Sequence, residues 1–392
     1  MASAPAPLRP PAAAGAGAFT LLAVLLARGA APAHARTDVG GVPLVNYSSD
    51  EGLGLGVNGA LFLRAPDYRP YRYGWSLNVF FTTRSIQDHM LRFDAPHFLG
   101  SAYRPTLMLR FERDPVRPYY GIGNDTSIDH TLDRTAMREL YLHTMVEPQS
   151  AFTLKRYLDG NWEVAATLLA AWLRIEKAPT SLLARDAPVG AGGGLLNELS
   201  AELSYDSRDN ETSPTAGVYA GLVGRAGQLS AAHAYAGGAL VARGYLSPFG
   251  TPALTVAARF DIDALAGEVP FTRLATFAGR PPLAGIGGAQ SLRGIPRYLY
   301  IGKIKTIGNL ELRSQIRRFR PGDHTLDLIL VAFADAGRVW ADFRFDDRPW
   351  RIHAAAGGGL RVAWEQDYLI RLDVAHAAEG STGVYIDFSQ CF

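Results

Sequence analysis

The sequence predicts an all-β protein, a transmembrane antiparallel β-barrel of about sixteen strands. Three observations support this prediction: an export signal at the N-terminus, long segments in which apolar and polar residues alternate, and a composition suited to many strands. The 392 residues include 41 Gly, 24 Pro, 17 Tyr and 18 Phe. Aromatic residues favour strands, and glycine and proline favour the turns that join them.

Residues 1–35 are predicted to form a cleavable signal peptide, which leaves residues 36–392 as one outer-membrane barrel domain. Arg9 supplies a positive charge before an apolar stretch at 12–27, and the Ala-His-Ala sequence at 33–35 fits a cleavage site. An N-terminal membrane anchor is the alternative, but the apolar stretch is short for a spanning helix. An exported chain without a later spanning helix is either soluble in the periplasm or crosses the membrane as a barrel.

Composition and motifs exclude several other classes of protein. The formal net charge is +2, so no basic surface for a nucleic acid is expected. The single cysteine, Cys391, excludes an intrachain disulfide and a cysteine-based metal cluster. The sequence contains no serine-hydrolase, zinc-protease or phosphate-loop motif. We therefore expect no enzyme and no cofactor, although an outer-membrane lipase or protease would need no local motif.

Alternation of polar and apolar residues is clearest between positions 303 and 317. The odd positions, such as Lys303 and Glu311, are polar and mostly charged, whereas the even positions are mostly apolar. A period of two over such a length is longer than a typical soluble strand. A soluble β-sandwich would alternate in the same way, but the export signal and the terminal Phe392 favour a barrel with its apolar side toward lipid.

Sixteen segments of the chain are predicted to be strands. Bacterial barrels have even strand numbers, short periplasmic turns and longer outer loops. The three longest connections, 114–135, 176–195 and 265–302, then all lie at the outer end, which agrees with that rule. The predicted strands are 42–47, 53–63, 72–83, 86–95, 103–113, 136–150, 161–175, 196–207, 215–227, 231–247, 251–264, 303–317, 325–335, 350–363, 367–376 and 383–392.

Three motifs occur in order in the second half of the chain. The first is Tyr-Asp-Ser-Arg-Asp-Asn at 205–210, and the second is Gly-Gly-Ala-Gln-Ser-Leu-Arg-Gly-Ile at 287–295 with Asn-Leu-Glu-Leu-Arg at 309–313. The third is Phe-Ala-Asp-Ala-Gly-Arg-Val-Trp at 333–340. In this order and spacing they resemble the Omp85 superfamily, the bacterial surface-antigen barrels that include the BamA- and TamA-like assembly barrels. The resemblance covers most of the mature chain.

The resemblance implies that the long loop before the twelfth barrel strand folds into the lumen and is held there by an arginine. Arg293 matches this arginine, Asp335 is its expected partner, and Glu311 is expected nearby. Gly294 would let the backbone approach the barrel wall closely. The alternative is that Arg293 is a solvated loop residue. The predicted loop-lock motif consists of Leu292, Arg293, Gly294, Glu311, Asp335 and Gly337.

The C-terminus carries a second implied feature. Phe392 lies on the same face of the last predicted strand as Phe388 and Ile386, and these residues resemble the C-terminal signal that barrel-assembly machinery reads. That machinery and the lipid of the outer membrane are therefore the expected partners during insertion. The alternative is an ordinary strand end in an aromatic girdle.

The resemblance also implies a role in outer-membrane biogenesis. In the family, the first and last strands meet at a weak seam that could open to insert or translocate client proteins. Here the seam would join 42–63 to 383–392. Only residues 36–41 separate the signal from the first predicted strand, so the periplasmic POTRA modules of assembly members are expected to be missing and clients would need a separate partner. The alternatives are a passive solute channel or lipid-handling conduit, and a purely structural surface antigen.

Overall fold

The computed structural model describes residues 36–65, 68–251, 253–322, 324–345, 351–364 and 368–392. The predicted signal peptide lies outside the described residues. None of the helices in this part of the chain has the length and apolar character needed to cross a membrane.

Sixteen strands pair in antiparallel fashion and close into one barrel, as the alternation predicts. Neighbouring strands in the sequence are neighbours in the wall, except that β11 pairs with β14 and β1 closes the barrel against β18. The short strands β12 and β13 pair with each other inside the connection between β11 and β14. The strands are β1 (Arg36–Ser48), β2 (Gly52–Ala65), β3 (Tyr68–Thr82), β4 (Gln87–Asp94), β5 (Tyr103–Pro118), β6 (Leu142–Tyr157), β7 (Trp162–Glu176), β8 (Gly194–Asp206), β9 (Gly217–Leu229), β10 (His233–Leu246), β11 (Thr255–Gly267), β12 (Thr276–Phe277), β13 (Leu283–Ala284), β14 (Ile304–Phe319), β15 (Leu326–Trp340), β16 (His353–Trp364), β17 (Tyr368–Ala377) and β18 (Thr382–Asp387).

Three short helices lie in the three longest connections, at residues 119–141, 177–193 and 268–303. The antiparallel order places these connections at one end of the barrel, which agrees with the predicted outer end. The helices are α1 (Arg134–Tyr141), α2 (Leu182–Asp186) and α3 (Phe271–Leu274), and a 3-10 turn covers Phe98–Gly100.

Several predicted strand boundaries are wrong by five residues or more, and the largest error is the end of the sixth predicted strand, placed at 150 but found at Tyr157. The strand predicted from 136 begins only at Leu142, because the Asp133 side chain accepts hydrogen bonds from the N–H groups of Thr135 and Ala136 and so starts helix α1. The first strand, predicted at 42–47, extends down to Arg36. The last strand ends five residues early, at Asp387, and the chain then enters the lumen.

The alternation of side chains sets which face of the wall is apolar. On β7, Trp162, Leu168 and Trp172 are exposed on the outside of the barrel, whereas Ala171 and Leu173 are buried inside. The same pattern on β14 turns Leu310, Leu312 and Ile316 outward and the charged side chains inward. An apolar outer band of this kind suits contact with lipid.

The lumen differs from the wet, polar interior that alternation alone predicts. At the outer end, Leu173, Leu196, Leu229 and Leu265 point inward and bury side chains of the 268–303 connection, including Phe271. A second buried apolar cluster joins the same connection to β14 and β15. Residues 268–303 therefore fill the outer half of the barrel with an apolar core, and the charged side chains are buried against it.

Candidate functional site: the loop lock and the seam

Arg293 lies inside the barrel with none of its surface exposed to solvent. Its Nε and Nη2 atoms donate to the two carboxylate oxygens of Asp335 on β15, at 2.8 and 2.9 Å. The backbone N–H of Arg293 donates to the same carboxylate at 3.1 Å. This two-pronged geometry is the strongest form of the arginine–carboxylate pair. The predicted partners are thus in direct contact.

Two further carboxylates complete the environment of the guanidinium. Its Nη1 atom donates to Glu311 Oε1 at 2.7 Å and to Asp373 Oδ2 at 3.0 Å. The guanidinium also lies 3.4 Å from the centre of the Phe333 ring, a cation–π arrangement. Arg293 therefore connects the loop to β14, β15 and β17 at once. Asp373 was missed by the sequence analysis, although its position on an inward strand face was a usable signal.

The surplus of carboxylates around Arg293 is balanced by other buried arginines. Arg313 Nε donates to Glu311 Oε2 at 2.8 Å, and Arg361 pairs with Asp373. Arg371 Nη2 donates to Asp387 at 3.0 Å. The network joins five strands of the wall, β14 to β18, and removal of any one charge leaves another buried without its partner.

Gly294 brings the loop backbone against the strands next to the seam. Its φ is +90°, and a Cβ atom at this position would lie 3.1–3.2 Å from backbone atoms of Ala375 and Ala377. Its N–H donates to Tyr385 Oη at 3.1 Å, and its carbonyl accepts from Ser381 Oγ at 2.6 Å. Both the conformation and the space require glycine here.

Leu292 and Gly337 form the apolar half of the motif. Leu292 is fully buried in the cluster that also contains Ile286 and Ile307. A Cβ atom on Gly337 would lie 3.3 Å from Leu292 Cδ1 and 3.1 Å from Ile286 Cδ1. The absence of a side chain at 337 therefore leaves the space that the loop occupies.

A second arginine of the loop, Arg297, reaches the other side of the seam. Its Nη1 donates to Glu51 in the β1–β2 turn at 2.7 Å, and its Nη2 donates to Asp114 on β5 at 2.8 Å. Burial lowers the pKa of Arg297, but the carboxylates of Glu51 and Asp114 raise it by more, so the net shift of the pKa is upward. Arg297 was not singled out from the sequence.

The seam between β1 and β18 is short. All 13 residues of β1 pair with β2. With β18, the pairs are Tyr47 with Ile386 and Ser48 with Tyr385, and Ser49 adds hydrogen bonds to Val384. Below Tyr47, the residues of β1 form no strand pair with β18 in the described part of the chain.

Phe388 and Phe392 do not continue the wall. They were expected on the outward face of a strand that runs to the C-terminus, but β18 ends at Asp387 and Phe392 is buried inside the barrel. Phe388 follows the bend, and its N–H donates to Asp387 Oδ1 at 2.7 Å. The assembly-signal role of these two residues stays a prediction.

Metal binding has no support in the described parts of the chain, where no three His, Cys, Asp or Glu side chains are grouped so that they could hold an ion.

Comparison with known proteins gives a family and a fold. Residues 71–377 match a family model described as the Omp85 superfamily domain. The structure of BamA from Haemophilus ducreyi lacking POTRA domains 1–3 aligns with a TM-score of 0.60 at 16% identity, over 90% of this chain and 70% of that chain. CdiB from Escherichia coli aligns with a TM-score of 0.56 at 12% identity, over 90% of this chain and 62% of that chain. No curated protein sequence matches significantly.

Proposed function

Because this chain belongs to the Omp85 superfamily, we propose that it acts in outer-membrane biogenesis by inserting or translocating client proteins. The free edge of β1 at the seam would be the place where a client strand pairs. The observation that carries the proposal is the short β1–β18 pairing, limited to Tyr47–Ile386 and Ser48–Tyr385.

In the described chain, the exposed edge of β1 carries unpaired backbone groups with which an additional strand can form hydrogen bonds. Residues 36–46 are paired with β2 on one side. On the other side, their backbone N–H and C=O groups face no strand of the described chain. An unpaired strand edge is a template for an added strand, because every backbone group of the newcomer finds a partner there.

The cost of opening the seam is small compared with that of opening any other strand pair. Each backbone hydrogen bond contributes about 0.5–1.5 kcal/mol to stability, so the few bonds near Tyr47, Ser48 and Ser49 sum to a few kcal/mol. The β1–β2 pair involves all 13 residues of β1. An incoming strand would replace the lost seam bonds with a longer ladder.

The loop lock would keep the barrel in shape while the seam opens. Arg293 binds Asp373 on β17, and Gly294 binds Tyr385 on β18. These contacts fix the strands on one side of the seam to the interior of the barrel. We expect β1 and β2 to be the side that moves, with Arg297 and Glu51 as the contact that breaks first.

The family's fold indicates the bacterial outer membrane as the location. The proposal adds that the chain is exported with a signal peptide cleaved after residue 35, and that barrel-assembly machinery inserts it. Clients are outer-membrane or secreted proteins. No enzymatic step is part of the proposal.

A disulfide across the seam tests the proposal. Tyr47→Cys with Ile386→Cys, in a Cys391→Ser background, would join the two seam strands. The matched control is Val45→Cys with Leu55→Cys, a pair that joins β1 to β2. In a deletion strain of the native host, we expect the oxidised seam variant to fail to restore outer-membrane protein levels, and the control and the reduced variant to restore them.

Two outcomes would contradict the proposal. An oxidised seam variant with full activity would show that opening is not needed. A deletion strain with unchanged barrel proteins and altered lipid asymmetry would favour lipid handling instead.

Conductance separates the proposal from the passive channel. Because residues 268–303 fill the outer half of the barrel, we expect small, flickering currents in planar bilayers. A large and steady conductance would favour an open pore.

A further inference from the structure

The last five residues form a short tail, residues 388–392, that enters the periplasmic mouth of the lumen. The tail leaves the wall after Asp387. Gln390 Nε2 lies 3.4 Å from Ser213 Oγ in the β8–β9 turn, and Arg361 Nε donates to Gln390 Oε1 at 3.4 Å. The tail therefore runs from β18 to the opposite part of the wall.

The end of the tail is held by two buried arginines. Arg313 Nη2 donates to a backbone oxygen of Phe392 at 3.1 Å, and Arg259 Nη1 donates to the Cys391 carbonyl at 3.2 Å. The guanidinium carbon of Arg259 lies 5.1 Å from the centre of the Phe392 ring, and that of Arg313 lies 5.3 Å from it. The Tyr245 ring lies 6.5 Å from the same ring. Cations thus contact both the chain end and its aromatic side chain.

The pocket around the chain end keeps unused hydrogen-bonding capacity. Arg313 Nη1 and Tyr245 Oη are buried and have no hydrogen-bond partner within the described chain. Arg259 also faces Arg243 across the β10–β11 pair. Glu311 accepts from Arg313 Nε, and Asp261 lies 3.8 Å from Arg259 Nε. These carboxylates balance part of the positive charge at this mouth, and the terminal carboxylate of Phe392 adds a further negative charge.

The register of β18 defines an alternative position for the tail, paired with β1 in the barrel wall. If β18 continued in register past the Tyr47–Ile386 pair, residues 388–392 would pair with residues 41–45 of β1. Residues 41–45 belong to the exposed edge of β1 with which a client strand would pair. With the tail in the lumen, the edge is free.

We propose that Tyr245, Arg259 and Arg313 form a binding site for the C-terminal end of a polypeptide whose last residue is aromatic and carries a free carboxylate. The chain's own Phe392 occupies the site. A client chain that ends in an aromatic residue would compete for it, and in that respect the inference rests on the proposed function. Hydrogen bonds from the arginines to the terminal carboxylate supply the affinity. Stacking of the arginines on the ring of the last residue supplies the selectivity for an aromatic end.

The single cysteine provides the first test in the full-length protein, refolded into detergent. Cys391 is buried beside Arg259, so a maleimide should label it slowly. We expect Arg313→Gln or Arg259→Gln to increase the labelling rate about tenfold, the usual effect of losing one charge-assisted hydrogen bond. The matched control is Arg104→Gln, which removes an arginine at the periplasmic end of β5 that is paired with Asp94 and contacts no tail residue in the described chain. Heat-modifiable gel mobility shows that each variant is folded.

Peptide binding provides the second test. The probe is a fluorescent pentapeptide, Phe-Ser-Gln-Ser-Phe, with either a free carboxylate or a C-terminal amide. The full-length Phe392→Ala variant keeps a terminal carboxylate but loses the ring that packs against Arg259 and Arg313, so the free acid should displace its weakened tail and bind at least tenfold more tightly than the amide. The unmodified chain should bind both weakly, because its own tail occupies the site.

Equal labelling of Cys391 in all variants, or equal binding of acid and amide, would overturn the inference. Both measurements are made in detergent without any client insertion. A negative result therefore leaves the seam proposal standing, and a failed seam experiment leaves this inference standing.

Discussion

The seam and the loop lock are held by opposite kinds of interaction. At the seam, β1 and β18 share a few backbone hydrogen bonds near Ser48, at the outer end of β1 and close to the last residue of β18. At the lock, Arg293 is fully buried and binds three carboxylates on three strands. The seam is therefore weak and accessible, whereas the lock is charged, enclosed and bonded to several strands of the wall.

The contrast shows where the barrel can change shape. Breaking a few backbone bonds at an exposed edge costs little, because water or another strand can replace them. Separating Arg293 from Asp335, whose side chains are both fully buried, leaves buried charges without partners, which is strongly unfavourable. We therefore infer that the wall opens at the seam while the loop and the strands around it stay together.

The largest expected effect follows from removing the lock. Arg293→Ala leaves Asp335, Glu311 and Asp373 without a shared cation, and we expect the free energy of unfolding to fall by about 3–5 kcal/mol. The measurement is urea unfolding in detergent, followed by tryptophan fluorescence. Arg174→Ala is the matched control, because Arg174 makes an ion pair with Glu176 on the outer surface, where such pairs contribute little. Equal stability of the two variants would falsify the assigned role of Arg293.

A smaller effect is expected where the loop backbone approaches the wall. Gly294→Ala must hold φ at +90° and place a Cβ atom against backbone atoms of Ala375, so we expect a loss of about 1–3 kcal/mol. The control is Gly224→Ala, at which a Cβ atom would meet nothing within 4 Å. Thermal unfolding should separate the two variants, and a stable Gly294→Ala would mean that the loop can move away from β17.

Alternation within single segments predicts the strands and the direction in which their side chains point. The alternation in residues 303–317 places Glu311 and Arg313 inside the barrel, since side chains in a strand alternate between its faces. The even strand number and the three long outer loops follow from such segments and the turns between them. The Arg293–Asp335 contact was reached by family resemblance and not by periodicity.

The parts that were missed depend on contacts between distant residues. Ile386, Phe388 and Phe392 have the spacing of a wall strand, so the sequence predicted one. The tail leaves the wall because Arg259 and Arg313, far away in the chain, bind its end. The apolar outer half of the lumen was missed for the same reason, because the alternation of one strand does not show what fills the interior.

The seam itself should respond to a single hydroxyl group. Ser49 Oγ accepts a hydrogen bond from the Val384 N–H at 2.9 Å, and Ser49→Ala removes it at a cost of about 1 kcal/mol. We expect roughly fivefold faster amide hydrogen exchange in residues 384–386. The control is Thr153→Ala, which removes a hydroxyl contact of 2.9 Å to Thr167 between β6 and β7. Global stability should be nearly the same in both, and unchanged exchange at 384–386 would argue against a weak seam.

The smallest effect is expected in the β8–β9 turn, which borders the tail. Asp209 accepts hydrogen bonds from the N–H groups of Thr215 and Ala216 at 2.9 and 3.1 Å. Burial raises the pKa of Asp209, but the hydrogen bond from the Thr215 hydroxyl and those from the backbone N–H groups together lower it by more, so its pKa in the folded state lies below the ordinary value of about 3.9.

A carboxyl group with a lowered pKa stabilises the folded state above its unfolded pKa, and this contribution is lost as the pH falls through the folded pKa. Asp209→Asn should therefore lower the free energy of unfolding by at most about 1 kcal/mol at neutral pH, because a largely exposed carboxylate is screened by solvent. The difference from the unmodified protein should shrink as the pH falls below about 4. Urea unfolding at several pH values measures it, with Glu211→Gln as the control from the same turn. A difference that grew at low pH would mean that the turn stabilises the protonated form of Asp209.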